Sequence, residues 1–254
     1  MKFGRAIGVF AACITLTFRT ARGKPLQLLR NIGEDQKQIW SFPVAAASGH
    51  RWKPALGVIG ATATLIALDP TVTTIFMRPG FQGNTTVRTA NRILSAGNMA
   101  LLINAVPLLA SACGLVQSGS YASRTGQLAG ESAANAEIVA MVMKHIDRRM
   151  RPVEAAPTGD FRRTWFRTRN RNVDGSGCFP SGHTASAFAV ATVFAERYSR
   201  HRWASFTAFG LAGIVGASRL TNRAHFLSDV FFGAVLGYSI SHFVVVPRGM
   251  KAAG

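Results

Sequence analysis

From Ile93 to Ser123 the chain carries no charged side chain. A stretch of that length is not a solvated loop; it is buried, in a protein core or in a bilayer. Its centre, Met99 to Gln117, is long enough to cross a membrane as a helix even with Pro107 inside it. Four further runs lack Asp, Glu, Lys and Arg: Pro54 to Leu68, Thr184 to Ala195, Trp203 to Ser218 and Val230 to Val246. None alternates apolar with polar residues as a half-buried strand does. Small residues at Gly210, Gly213, Gly216 and Ala217, and at Gly233 and Gly237, would let helix backbones approach closely. The expectation is an all-α bundle of about six helices, embedded in a membrane. A soluble or peripheral helical bundle is the alternative, because a mean hydropathy of +0.18 is modest for a multi-pass protein.

Between these runs the reading is coarser. Residues 19–53 are polar and basic and read as a connector. Asp69-Pro70 reads as a helix stop, residues 71–92 as loop, and residues 127–150 as a helix ending at Pro152. At the N-terminus, Lys2 and Arg5 precede an apolar stretch from Ala6 to Phe18, then Arg19 and Arg22. That pattern reads, in order of preference, as a signal peptide, an uncleaved anchor or a buried helix.

Lys and Arg total 29 against 11 Asp and Glu, a net charge of +18. Such a balance calls for an anionic partner: nucleic acid, an acidic membrane surface or a phosphorylated substrate. With 48% hydrophobic residues and basic groups gathered in the loops, membrane surface plus phosphate is the better reading, and nucleic acid is set aside. Cys13, Cys113 and Cys178 show no metal-ligand spacing, so no structural metal is expected and Cys178 reads as a bystander.

Three polar clusters interrupt the apolar runs. Lys144 and Arg151 lie seven residues apart, which on one helix would put both cations on one face, with Pro152 closing it. Asp147 could instead pair with Arg151; His145, Arg148 and Arg149 read as solvated surface. In Pro180-Ser181-Gly182-His183, Pro180 sets a helix entry, Ser181 is a candidate N-cap, and Gly182 admits a ligand to the free amides. His183 beside that anion site can give or take a proton near neutrality. In the third cluster Ser218-Arg219 ends one apolar run and His225 opens the next. Asp229, four residues on, is placed to accept the ring N–H of His225. Three cations, two imidazoles and a carboxylate fit a site that binds a phosphoryl group and transfers it through histidine.

The succession Lys-x6-Arg-Pro, Pro-Ser-Gly-His, Ser-Arg-x5-His-x3-Asp resembles the type 2 phosphatidic acid phosphatase superfamily, which also holds bacterial acid phosphatases and vanadium haloperoxidases. The likeness covers residues 93–246, and its motifs are met without substitution. It implies a helical core with the three clusters meeting at one end, and catalysis without metal or cofactor. It further implies that His225 attacks phosphorus to form a phosphohistidine, with Asp229 orienting the ring. His183 would protonate the leaving oxygen and then activate water. Lys144, Arg151 and Arg219, with Ser181 and the Gly182 amide, would hold the phosphoryl oxygens.

On this reading residues 1–53 are a signal or anchor segment plus connector, 54–247 a helical phosphatase domain with its motifs in 144–229, and 248–254 a basic tail. The expected substrate is a lipid phosphate or pyrophosphate, or else a small phosphoester. The expected place is the cell membrane, multi-pass, with the site facing the periplasm or exterior. The arginine-rich connection between 144 and 183, including Arg162, Arg163, Arg167, Arg169 and Arg171, runs against the usual preference for basic loops inside. Part of that charge could serve phosphate and part anionic headgroups. Competing readings are a periplasmic acid phosphatase of broad specificity, a vanadium-dependent haloperoxidase, and a membrane scaffold or transporter. The sequence names no oligomeric state.

Overall fold

The computed structural model describes residues 25–47, 52–116, 120–168 and 177–251, and among these every regular element is helical. The expected signal or anchor at residues 1–22, Cys13, Arg169, Arg171 and the last three residues of the tail lie outside the described residues. In chain order the helices are α1 (Pro25–Ala47), α2 (Trp52–Met77), α3 (Pro79–Gly83), α4 (Thr85–Ile93), α5 (Ala96–Val116) and α6 (Ser120–Asp147). Then come α7 (Pro152–Ala155), α8 (Gly182–Arg197), α9 (Arg202–Thr221), α10 (Leu227–Ile240), a π-helical turn (Ser241–Val245) and α11 (Val246–Lys251).

Three expectations are corrected. The connector expected at 19–53 is a helix from Pro25 onward. Its buried residues Leu28, Asn31 and Asp35 recur at helical spacing. Asp35 accepts Arg248 Nε at 2.7 Å and Asn135 Nδ2 at 2.9 Å, tying α1 to α6 and to the end of the chain. Secondly, Asp69-Pro70 does not stop α2, which continues to Met77. Proline removes a single backbone donor, and the fully buried Asp69 beside it is fixed from outside the helix by Arg149. Thirdly, residues 71–92 are not loop. Beyond Met77 they form α3 and α4, and Asn84 caps α4 by accepting the amides of Thr86 and Val87 at 2.9 and 3.2 Å.

Helix α8 is the centre of the bundle and packs against α6, α9 and α10. Its Ala185, Ala187, Ala189, Ala191 and Ala195 are buried, with Leu128, Val139, Val193, Ile240 and Val245 in the same core. Small side chains put the α8 and α10 backbones nearly in contact. A Cβ at Gly237 would lie 2.0 Å from the Ala185 carbonyl oxygen, and one at Gly233 lies 2.7 Å from that of Ser181. Gly216 similarly admits Val230, with 3.0 Å to its Cγ1. Gly210 and Gly213, expected to do the same, face open space instead. The close α8–α10 contact positions the site, because it joins the start of one helix to the start of the other: the Ser181 amide donates to the Asp229 carbonyl at 3.0 Å.

Gly237→Ala therefore forces backbone apart from backbone and lowers the melting temperature by several degrees, about 1–3 kcal/mol. Gly210→Ala, into open space within a helix, leaves it unchanged or slightly raised. Thermal unfolding of the two variants side by side checks both.

Candidate active site

The first cluster is built differently from its expectation. α6 ends at Asp147, and Arg148 turns the chain with φ 44°, so Lys144 and Arg151 do not share a helix. Pro152 opens α7 rather than closing α6, as suits a residue with no amide to donate. Lys144, 6% exposed, comes near the start of α8: a Cβ on Gly182 would sit 3.0 Å from its Nζ and 2.7 Å from a Glu137 carboxylate oxygen. Asp147 does not pair with Arg151; its Oδ1 accepts the Arg149 amide at 2.9 Å.

At the second cluster Ser181 does occupy the N-cap position of α8, yet its hydroxyl bonds Thr184 Oγ1 at 2.8 Å rather than a helix amide. The opening amides of α8 are thereby left to a ligand. His183 Nε2 donates to the Ala96 carbonyl at 3.0 Å. A carbonyl only accepts, so the proton lies on Nε2 and Nδ1 is the ring atom free to exchange one. His183 also feels the charges of Arg219, Glu137 and Lys144.

The third cluster is the most tightly held. His225 lies in the short connection between α9 and α10 and is 4% exposed. Its Nδ1–H donates to the Cys178 carbonyl at 2.7 Å, while Asp229 Oδ2 stands 3.5 Å away. The expected partner is thus displaced to second place, and the main chain of Cys178 sets the tautomer. Nε2 is left with its lone pair. Burial, with the charges of Arg151 and Lys144 outweighing the help of Asp229, pushes the imidazole pKa down to about 3, so the ring is neutral in any ordinary buffer. Arg219, 1% exposed, is held by the Leu94 carbonyl and by Ser218 Oγ, and it feels the charge of Arg151.

Asp229 is engaged elsewhere. Oδ1 accepts Arg149 Nη1 at 2.6 Å and Oδ2 accepts the Phe226 amide at 2.8 Å. Arg149, expected on the solvated surface, is 1% exposed. Its Nη2 donates to Asp69 Oδ2 at 2.7 Å and its Nη1 also to Ser228 Oγ at 2.8 Å. Its guanidinium carbon lies 4.1 Å from the Phe226 ring centroid and 4.5 Å from that of Trp165. Asp69 completes the group by accepting the Ser228 amide at 3.0 Å, on the first turn of α10. One guanidinium between two buried carboxylates locks α2, the α6–α7 connection and α10 together directly behind His225. The signal for Asp69 was available: a carboxylate at the end of an apolar run is costly unless it has a task. The carbonyls of Leu94, Ala96 and Cys178 left no signal in side-chain chemistry.

Cys178, His225 and Asp229 bring three donor atoms within 4.8 Å of one another. Those atoms are committed to Met150, to the Cys178 carbonyl and to Arg149 with Phe226, and burial raises the thiol pKa well above its ordinary value. A metal would have to break all of these bonds, so the trio does not suit one. Beside His225 lies a cleft with room for little more than a water molecule, walled by Val72, Thr73, Phe76 and Met77 from α2 and by Pro152, Leu220, Arg223 and Leu227.

Asp147 bears a separate load. Its Oδ2 is buried without a partner, and burial above all raises its pKa to about 7. A carboxyl whose folded pKa exceeds its unfolded one costs stability as pH climbs from the unfolded value towards 7, and the cost then levels off. Asp147→Asn keeps the acceptor for Arg149 and removes that charge. Its melting temperature relative to the parent rises across pH 4–7 by a few degrees and is flat above, as a pH series of melts will show.

Among the described residues three helices are long and apolar enough to cross a membrane: Trp52–Met77, Ala96–Gly114 and Leu227–Met250. Each has one end at this site, through Met77 in the cleft, Ala96 on His183 and Leu227 next to His225. Residues 128–251, just under half of the chain, match the PAP2 superfamily. Over 60 residues it is 48% identical to the lipid A 1-phosphatase of Porphyromonas gingivalis, a match spanning 23% of this chain and only 14% of that protein. Its fold is that of a crystal structure described as the first transmembrane PAP2 type phosphatidylglycerolphosphate phosphatase, from Bacillus subtilis. The TM-score is 0.50 at 18% identity, covering 78% of this chain and 96% of the other. The three apolar helices on a transmembrane fold make this a membrane protein.

Proposed function

We propose that this chain is a phosphatase that hydrolyses a lipid phosphate or pyrophosphate ester at the membrane surface, without a metal, through a phosphohistidine on His225. The observation that carries the reading is the state of His225. Its Nδ1–H is tied to the Cys178 carbonyl, its ring is kept neutral, and Arg151 and Lys144 act on it electrostatically. A neutral imidazole with one nitrogen fixed offers the other as nucleophile. As Nε2 bonds phosphorus the ring becomes cationic, and the Cys178 carbonyl and Asp229 then face that charge.

Lys144, Arg151 and Arg219 surround the transferring group, with the Ser181 hydroxyl and the Gly182 amide at the start of α8, and stabilise its oxygens in the transition state. His183 must first take up a proton at Nδ1, from the substrate's own phosphate or from solvent. It then gives that proton to the leaving oxygen, and the neutral ring takes one back from the water that frees phosphate. A substrate whose phosphate is joined to a lipid is in keeping with the apolar helices that end at the site and with the lipid substrates named for both relatives. The site opens on the periplasmic or outer face. The test is release of inorganic phosphate by detergent-purified protein from a panel of phosphatidic acid, prenyl pyrophosphate, lipid A and soluble phosphomonoesters, with EDTA present. Turnover of at least one lipid substrate above the soluble ones supports the reading. Phosphate release only from soluble esters, or from none, refutes it.

A further inference from the structure

We propose that residues 160–168 form a docking surface for an anionic lipid bilayer at the mouth of the site. Arg162, Arg163 and Arg167 would engage headgroup phosphates there, and Phe166 would enter the interface. This surface rests on the phosphatase reading for its purpose, not for its existence.

The segment is a built structure. Phe161, Thr164 and Thr168 are buried, while Arg162, Arg163, Phe166 and Arg167 are exposed, Phe166 by 71%. The Met150 amide donates to the Thr164 carbonyl at 2.8 Å, and the Phe166 amide donates to that of Asp147 at 2.9 Å. The amides of Arg167 and Thr168 both donate to the Arg148 carbonyl at 3.1 Å. Asp160 Oδ1 accepts the amides of Arg162 and Arg163, each at 3.1 Å. Among the described residues none of the three exposed guanidiniums is in a salt bridge. Phe166 adopts φ 57°, a conformation that a bulky side chain rarely takes and that persists only where surrounding bonds impose it. The outcome is an aromatic ring turned outward between cations.

Location supplies the partner. The segment is bonded to residues 147–150, next to Arg149 and Arg151, and Phe161 packs on Phe226 with ring centroids 6.5 Å apart. The three apolar helices all have an end at this site, so the segment lies at the level of the bilayer surface. Positive side chains with an exposed aromatic at that depth are the pairing that anionic headgroups and the interfacial layer favour. A nucleic acid or acidic protein would not require the outward Phe166.

Full-length protein in nanodiscs of phosphatidylcholine, with or without phosphatidylglycerol, tests this. Arg162→Gln/Arg163→Gln/Arg167→Gln raises KM for a lipid phosphate about tenfold in anionic discs with kcat kept. Hydrolysis of soluble p-nitrophenyl phosphate stays within about twofold of the parent, since screening by salt and loss of these charges act on docking alone. In a second arm that needs no turnover, Phe166→Trp adds emission that shifts to the blue in anionic discs, and the shift disappears when the three arginines are also replaced. An unchanged lipid KM, an equal fall on both substrates, or no emission shift overturns the proposal. If the parent hydrolyses neither substrate the phosphatase reading fails, and the emission shift alone then decides the surface.

Discussion

Turnover falls by about 10³-fold or more when His225 becomes alanine, and the helical fold survives. The ring is held in a fixed tautomer, with Nδ1–H on the Cys178 carbonyl and Nε2 left over. Losing it removes one hydrogen bond, worth about 1 kcal/mol, from a loop whose anchor is the Asp229 contact with the Phe226 amide. The variant therefore keeps its helical circular dichroism and its melting temperature within a few degrees at neutral pH. Acid separates the two proteins. The imidazole titrates near 3 in the folded state, against an ordinary value of 6.5. The unfolded chain thus binds more protons between those values, and the parent loses stability as pH falls from 6.5 towards 3. His225→Ala escapes that loss and holds its melting temperature better in acid. Phosphate release by the variant at the parent rate would remove His225 from the chemistry altogether.

The apolar runs made the bundle legible because burial leaves a mark on every residue it covers. Pro54–Leu68, the run around Met99 and the three runs from Thr184 to Val246 all became helices. The polar clusters were legible because Lys144, Ser181, His183, Arg219, His225 and Asp229 announce chemistry by residue type. Arg149 was not, since an arginine in a basic stretch looks the same in sequence whether its guanidinium meets water or two carboxylates. Its role depends on Asp69, which is 80 residues away and reaches it only once α2 runs on through Pro70. The end of α6 was equally hidden: helical spacing predicted a shared face for Lys144 and Arg151, and the positive φ at Arg148 breaks it. Contacts made by main-chain carbonyls, such as Cys178 to His225, carry no residue-type signature at all. The closeness of α8 and α10 could be read from Gly233 and Gly237, but nothing local separates those from Gly210 and Gly213, which meet only open space.

Arg149→Met destabilises the protein by about 3–5 kcal/mol and lowers turnover with it. Among the described residues the guanidinium is the single cation bonded to Asp69 and Asp229, both 0% exposed, and its loss strands two carboxylates in a space closed by Phe226 and Trp165. Methionine fills the volume and stacks on the same rings, so the cost is that of unpaired charge rather than of a cavity. Arg149→Lys recovers only part of it, since one ammonium cannot reproduce a fork that bonds Asp69 on one nitrogen and Asp229 with Ser228 on the other. Asp69→Asn is milder, because Arg149 and Asp229 remain as a neutral pair. Asp69→Asn/Arg149→Met is then more stable than the sum of its two single losses, having one stranded carboxylate instead of two. Thermal unfolding of the four proteins in one detergent gives that coupling directly. A parent-like melt for Arg149→Met, or strict additivity in the double variant, would mean that something other than this buried triad braces His225.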